Sequence, residues 1–140
     1  MYVVDSNIWA YYFDKTLPEH AQVVSFMDKI IKKREIVVTN IILLEVTHFL
    51  FKRLGEIEGY NKSKIFQLGD FHRLDFTSDD LDEQLALMKS SSKSGLGGRD
   101  ISIIVCMNKN KLTRIVTHDK AFKKLKDIEA IDPTLNTSAF

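Results

Sequence analysis

Short β-branched runs alternate with longer stretches of helical hydrophobic spacing along this chain. Five short runs predict strands, at residues 2–5, 35–39, 73–76, 114–117 and 128–131. The stretches between them predict helices, at residues 6–13, 18–33, 40–54, 79–91, 100–108 and 120–125. Strands that alternate with helices are typical of a parallel sheet covered by helices. We therefore expect one α/β domain over residues 1–140, a three-layer α/β/α sandwich with a central parallel sheet of four or five strands.

Local signals set the predicted ends of these helices. Ser6 and Asn40 are predicted to cap the first and third helices, and Pro18 suits the start of the second. Gly55 predicts the end of the third helix, and residues 56–70 are expected to form a short helix within a longer connection. These signals divide the chain without requiring a second domain.

A glycine- and serine-rich segment at residues 90–98 (SSSKSGLGG) predicts a flexible loop. The almost continuous apolar run after it, residues 100–108, has strand-like composition. Because it follows a loop and precedes another apolar run, we interpret it as a buried helix.

Four acidic residues stand where a parallel sheet would place a binding site. Ligands of such sheets bind beyond the carboxyl ends of the strands. Asp5 ends the first predicted strand, and Asp119 closely follows the strand at 114–117. Asp100 opens a helix after the glycine loop, and Glu45 lies between hydrophobic neighbours in another helix. Asp5, Asp100 and Asp119 can each be explained as a cap or turn residue, whereas Glu45 has no such explanation.

A cluster of these four acids requires a compensating charge. Two carboxylates about 5 Å apart repel by roughly 3 kcal/mol at an effective dielectric near 20. Mg²⁺ is the natural candidate because it prefers hard oxygen ligands, and Mn²⁺ has similar preferences. Such an ion polarises a phosphoryl oxygen and supplies a water nucleophile. The acids therefore indicate phosphodiester chemistry.

Four segments of the chain resemble the four motifs of the PIN-domain nucleases, in the order and at the spacing of that family. They are VVDSNIW from Val3, TNIILLEVTHFL from Thr39, GLGGRDISII from Gly95 and RIVTHDKAF from Arg114. The resemblance implies that the catalytic metal ligands are Asp5, Glu45, Asp100 and Asp119. It also implies polar helpers near the metal, which here are Ser6 or Asn7 and Thr117.

One position departs from the family pattern. Many members carry a further acid two residues after the last motif aspartate, and this chain has Ala121 there. The departure affects a second metal position more than the first.

The same resemblance implies a function and partners. We expect an endonuclease that uses Mg²⁺ or Mn²⁺ to cleave single-stranded RNA, often as a homodimer. Many small members are VapC-type toxins, which implies an antitoxin protein as a partner. The alternatives are a catalytically silent PIN scaffold that binds RNA or a protein, and a dehalogenase-type phosphatase. The phosphatase is the weakest, because it requires a second aspartate where this chain has Asn7.

Net charge, cysteine content and the length of the apolar runs further limit the kinds of protein that this sequence can form. The formal charge is +1, which argues against a surface coated in positive charge, although Arg99 adjoins Asp100 and is expected to contact the scissile strand. Cys106 is the single cysteine, so neither an internal disulfide nor a cysteine zinc site can form. No apolar run approaches the roughly 18–20 residues that span a bilayer, and no secretory signal is visible. We therefore expect a cytoplasmic protein with no membrane partner.

His118 adjoins Asp119 in the sequence, and we interpret it as a solvated loop residue.

Overall fold

Five short strands form one parallel sheet, and helices flank it on both faces. The structure is a computed structural model and describes residues 1–135. The strands are β1 (Tyr2–Val4), β2 (Ile36–Thr39), β3 (His72–Leu74), β4 (Arg114–Val116) and β5 (Glu129–Ile131). Their order in the sheet is β3-β2-β1-β4-β5, and every pair is parallel. The predicted α/β/α class is confirmed, with the sheet at the upper end of the expected strand number.

The helices follow the predicted alternation closely. They are α1 (Ser6–Phe13), α2 (His20–Lys32), α3 (Asn40–Gln67), α4 (Leu81–Ser90) and α5 (Gly98–Lys109). Two shorter 3₁₀ turns lie at Ser78–Asp80 and Lys120–Lys124, the second in place of the helix predicted at 120–125. No helix in the described part of the chain is long and apolar enough to cross a membrane.

Two predicted helix caps are wrong by one residue. Asp5 caps α1 by accepting a hydrogen bond from the Ser6 amide, and Thr39 caps α3 by accepting one from the Ile42 amide. Both helices start directly after a strand, so the last extended residue takes the cap position. Asn40 instead uses its side-chain amide to bind the backbone of Phe76 in both directions.

Helix α3 contains a sharp break at Gly55. This residue has φ +82°, so the predicted stop is real, but a second helical segment resumes at once. A Cβ atom on Gly59 would lie 2.7 Å from the Cα of Phe51. The two segments therefore pack too closely for any residue with a side chain at position 59.

The buried apolar run of α5 confirms the prediction of a helix there. Every residue from Asp100 to Met107 is buried, because α5 is covered by the rest of the core and by α4. The register of β1 and β4 aligns Val4 with Val116, so both strands end at the same level. After β1 the chain forms β2 on one side of this strand, and it later forms β4 on the other side. This reversal of strand order opens a crevice beyond the carboxyl ends of β1 and β4.

Candidate metal centre at the carboxyl edge of the sheet

Asp5 forms the floor of this crevice. It directly follows β1 and its side chain is 0% exposed. One carboxylate oxygen accepts hydrogen bonds from the Ser6 amide at 2.7 Å and from Arg99 Nη1 at 2.8 Å. The other accepts a hydrogen bond from Thr117 Oγ1 at 2.8 Å. Asp5 therefore connects the end of β1, the end of β4 and the start of α5.

The Arg99 guanidinium contacts three of the four predicted acids. Its Nη1 lies 2.8 Å from Asp5 Oδ1, its Nε 3.0 Å from Glu45 Oε2, and its Nη2 2.8 Å from Asp100 Oδ1. The arginine side chain is 30% exposed, so it lies partly within the crevice. Acids from β1, α3 and α5 thus converge on one cationic group.

Asp119 lies at the side of this group. Its Oδ1 accepts a hydrogen bond from the Ala121 amide at 2.9 Å and caps the 3₁₀ turn at Lys120–Lys124. Its charge nevertheless contributes to the raised pKa of Asp100, so the carboxylate is an electrostatic neighbour of the cluster. The structure gives Asp119 a capping contact and no contact with Arg99.

Of the two predicted helper residues, Thr117 contacts an acid of the cluster directly, and Asn7 contacts the residue before Asp119. Thr117 is buried, donates to Asp5 and accepts a hydrogen bond from the Asp119 amide at 3.0 Å. Asn7 Oδ1 accepts a hydrogen bond from the His118 amide at 3.3 Å. Their role in holding a metal stays a prediction.

The acids of the cluster are short of positive partners. Burial raises the pKa of Glu45 and of Asp100, Arg99 opposes this effect, and the charge of Asp5 reinforces it. Burial would lower the pKa of the Arg99 guanidinium, but the three acids outweigh it and raise that pKa. Arg99 is therefore charged at any physiological pH, and one positive charge faces several carboxylates.

These residues fit a hard divalent cation in their chemistry. Among residues 1–135, Glu45 Oε1 and Asp100 Oδ1 are buried without a hydrogen bond, although the latter has Arg99 Nη2 nearby. Unsatisfied carboxylate oxygens are the ligands that Mg²⁺ and Mn²⁺ prefer. No group of three or more His, Cys, Asp or Glu side chains in this part of the chain is gathered as a metal-binding set. The carboxylates are arranged around the guanidinium instead.

Sequence reasoning missed two features of this region. It expected Arg99 to contact substrate and gave it no role among the acids. It also interpreted His118 as a solvated loop residue, whereas His118 Nδ1 lies 2.9 Å from Asp132 Oδ2 and 3.0 Å from Thr134 Oγ1. Asp132 directly follows β5, the neighbour of β4, and that position was the available signal.

A groove adjoins the acid cluster between α1 and α3. It has a volume of about 460 Å³ and opens beside Glu45. Its lining combines apolar and polar side chains: Ser6, Asn7, Ala10, Leu44, Glu45, His48, Phe49 and Arg99. The cluster therefore has an adjacent surface that can receive part of an extended ligand.

The fold and the site define a parallel α/β protein with an acidic centre at the carboxyl edge of its sheet. The family model of the PIN domain matches residues 2–128, and the chain belongs to the PIN-domain family. No protein among curated sequences matches this chain.

Solved structures share the fold at low sequence identity. VapC20 of Mycobacterium tuberculosis is 16% identical, with a TM-score of 0.78 over 92% of this chain and 98% of that chain. VapBC2 of Rickettsia felis is 21% identical, with a TM-score of 0.71 over 94% and 98%. FitAcB of Neisseria gonorrhoeae is 16% identical, with a TM-score of 0.70 over 97% and 100%.

Proposed function

We propose that this protein is a divalent-metal-dependent endoribonuclease that hydrolyses phosphodiester bonds of single-stranded RNA. The observation that carries the proposal is the convergence of Asp5, Glu45 and Asp100 on one cation position, with Asp119 beside them. Membership of the PIN-domain family supports the same conclusion.

The four acids would hold Mg²⁺ or Mn²⁺, which when bound polarises a phosphoryl oxygen and lowers the pKa of a bound water. The chain's own residues prepare this position. Thr117 and the Ser6 amide fix the orientation of the Asp5 carboxylate from two sides. Because Asp5 is fully buried, its carboxylate cannot bind bulk water, and these hydrogen bonds take the place of that hydration.

The groove between α1 and α3 supports an unpaired strand as the substrate. A nucleobase can stack or pack against Phe49 and Leu44 while its phosphate faces Glu45. An unpaired base can expose its ring face for such a contact, whereas the faces of paired bases are covered by their stacked neighbours. The solved structure of VapC20 is described as that of a toxin that cleaves the sarcin–ricin loop, which is consistent with RNA as the substrate class.

We also propose a toxin role, which the same relatives support. One structural neighbour is described as a toxin–antitoxin complex from Klebsiella pneumoniae, and another is VapBC2 of Rickettsia felis bound to a DNA fragment from its promoter. The second segment of α3 and the residue after it expose apolar side chains that a protein partner would cover: Ile57, Tyr60, Ile65 and Leu68. We expect a homodimer that binds an antitoxin. We expect a small DNA-binding protein to be encoded next to this chain. That protein should copurify with this chain and suppress its cleavage of RNA.

The nuclease proposal is tested with Asp5→Asn. Cleavage of a fluorescent single-stranded RNA in Mn²⁺ should fall by about 100-fold or more, because one charge of the acid cluster is lost. Asp80→Asn is the matched control, since Asp80 is also buried and paired with a cation, Lys109, but lies at the other end of α5 from Asp100. Undiminished cleavage by Asp5→Asn would overturn the assignment.

A titration with Mn²⁺ separates the nuclease proposal from a catalytically silent scaffold. An enzyme should bind Mn²⁺ in a manner that depends on Glu45, and should cleave RNA only when the metal is present. A scaffold should bind RNA without either property. The intact set of four acids favours the enzyme.

A further inference from the structure

One guanidinium occupies the position to which the carboxylates of the cluster point. Each of its three nitrogen atoms lies within 3.0 Å of an oxygen of a different acid. These acids are separated by up to 95 positions in sequence, so the arrangement is a product of the fold. Arg99 is thus an internal counter-ion of the acid cluster.

A divalent cation held by the same three carboxylates would compete with Arg99 for them. Asp5 Oδ1 already accepts from Arg99, Glu45 Oε2 is bound to its Nε, and Asp100 Oδ1 faces its Nη2. A guanidinium and a divalent ion at one position would also repel each other. Occupation of the cluster by one cation therefore excludes the other.

Arg99 is able to leave without a change in the backbone. It is the second residue of α5, and its carbonyl oxygen accepts a hydrogen bond from Ser102 Oγ, which holds the main chain of this turn. Its side chain is partly exposed and already lines the groove beside Glu45. A change of side-chain rotamer toward the groove would separate the guanidinium from the acids while this turn of the helix stays in place.

We propose that Arg99 is a built-in competitor of the metal: its guanidinium neutralises the acid cluster in the metal-free protein and must be displaced when Mg²⁺ or Mn²⁺ binds. This inference rests on the proposed function, because it takes the acid cluster as the metal site. It assigns to Arg99 a role distinct from contact with the substrate. The competition lowers the affinity for metal and stabilises the fold when metal is scarce.

The test measures metal binding and stability in the absence of RNA. Arg99→Gln and the unmodified protein are titrated with MnCl₂ by isothermal titration calorimetry, and the Tm of each is measured with and without Mn²⁺. The variant should bind Mn²⁺ at least about tenfold more tightly, because the competing charge is gone. Its metal-free Tm should fall, and Mn²⁺ should raise its Tm by more than it raises that of the unmodified protein.

Arg53→Gln is the matched control. Arg53 also binds a buried acid, Asp14, but it lies outside the acid cluster. The control should lose stability without a change in the Kd for Mn²⁺. Arg99→Lys serves as a second variant if Arg99→Gln does not fold, since a lysine keeps the charge but cannot bridge three acids. It should bind Mn²⁺ more tightly than the unmodified protein does.

The outcomes distinguish the two proposals. If the unmodified protein binds Mn²⁺ and the Arg99 variants bind it equally or less tightly, competition by Arg99 is overturned and the nuclease assignment stands. If neither the unmodified protein nor any Arg99 variant binds Mn²⁺, the metal site itself is absent and both proposals fail. Tighter binding by the Arg99 variants alone, with no change in Arg53→Gln, supports the competition.

Discussion

Two regions of the molecule bury carboxylates in different ways. Asp14 ends α1 and is 6% exposed, yet its oxygens are fully engaged. Oδ1 accepts from the Thr16 amide and hydroxyl, and Oδ2 accepts from Arg53 Nε at 3.0 Å and Nη2 at 2.8 Å. The hydrogen bonds from Thr16, together with Arg53, hold the pKa of Asp14 below its ordinary value although burial opposes them.

In the acid cluster at the carboxyl edge of the sheet, the acids outnumber the groups that can neutralise them. There one arginine serves three acids, two buried oxygens have no hydrogen bond, and burial raises the pKa of Glu45 and of Asp100. Asp14 has one cation to itself and is a structural acid. Burial alone therefore does not mark a functional acid, whereas a shortage of partners around a buried acid does.

The largest expected effect is the loss of activity in Glu45→Gln. Metal-dependent cleavage should fall by about 100-fold, because an anionic group of the site is lost. The free energy of unfolding without metal should change by no more than about 0.5 kcal/mol, since the pair of Glu45 with Arg99 is partly exposed and removal of this acid also relieves its repulsion of Asp5 and Asp100. The measurements are kcat/KM with single-stranded RNA and urea unfolding. A loss of several kcal/mol would instead place Glu45 with the structural acids.

Most of the fold could be predicted from the sequence because helices and strands depend mainly on residues that are close together along the chain. Strands such as β2 and the buried helix α5 follow from runs of apolar residues, and the break at Gly55 follows from a single glycine. The cap at Thr39 was missed, and Ser6 was preferred to Asp5, because each strand runs straight into a helix, which local composition does not specify.

The site was predictable only in part. The rule that sites lie at the carboxyl ends of parallel strands brought Asp5 and Asp119 together. The bridge from Arg99 to Asp5 spans 94 positions and depends on the rotamer of a long side chain. The pairing of His118 with Asp132 similarly depends on the register of β4 and β5. No periodicity in sequence contains such information.

A smaller effect is expected from Asp14→Asn, which keeps an oxygen for Thr16 and removes the charge that binds Arg53. At pH 7 the variant should be less stable by about 1 kcal/mol, since the pair is partly exposed on the arginine side. RNA cleavage by the folded variant should not change. Urea unfolding at several pH values measures the effect.

The pH dependence of this difference has a definite sign. The folded-state pKa of Asp14 lies below its ordinary value of 3.8, so its stabilising effect is complete above that pH. As the pH falls below 3.8 the unfolded chain takes up the proton first, and the stabilisation decreases until the folded state is protonated too. Asp14→Asn and the unmodified protein should therefore approach equal stability in acid. A difference that persists unchanged at pH 2 would contradict the role given to the Arg53 pair.

The smallest effect is expected from Arg34→Gln, which tests an ion pair without burial. Arg34 Nε lies 3.4 Å from Asp70 Oδ2, and the two side chains are 81% and 79% exposed. Water screens such a pair, and ordering the exposed arginine side chain costs entropy, so the free energy of unfolding should change by less than about 0.5 kcal/mol. The φ of +54° at position 34 is the same for both residues, so backbone strain does not enter the difference. Urea unfolding in low and in high salt measures it. A larger, salt-sensitive loss would mean that an exposed ion pair stabilises the fold as much as the pair of the buried Asp14 does, and the stability assigned to Asp14 could not then be attributed to pairing at a buried position.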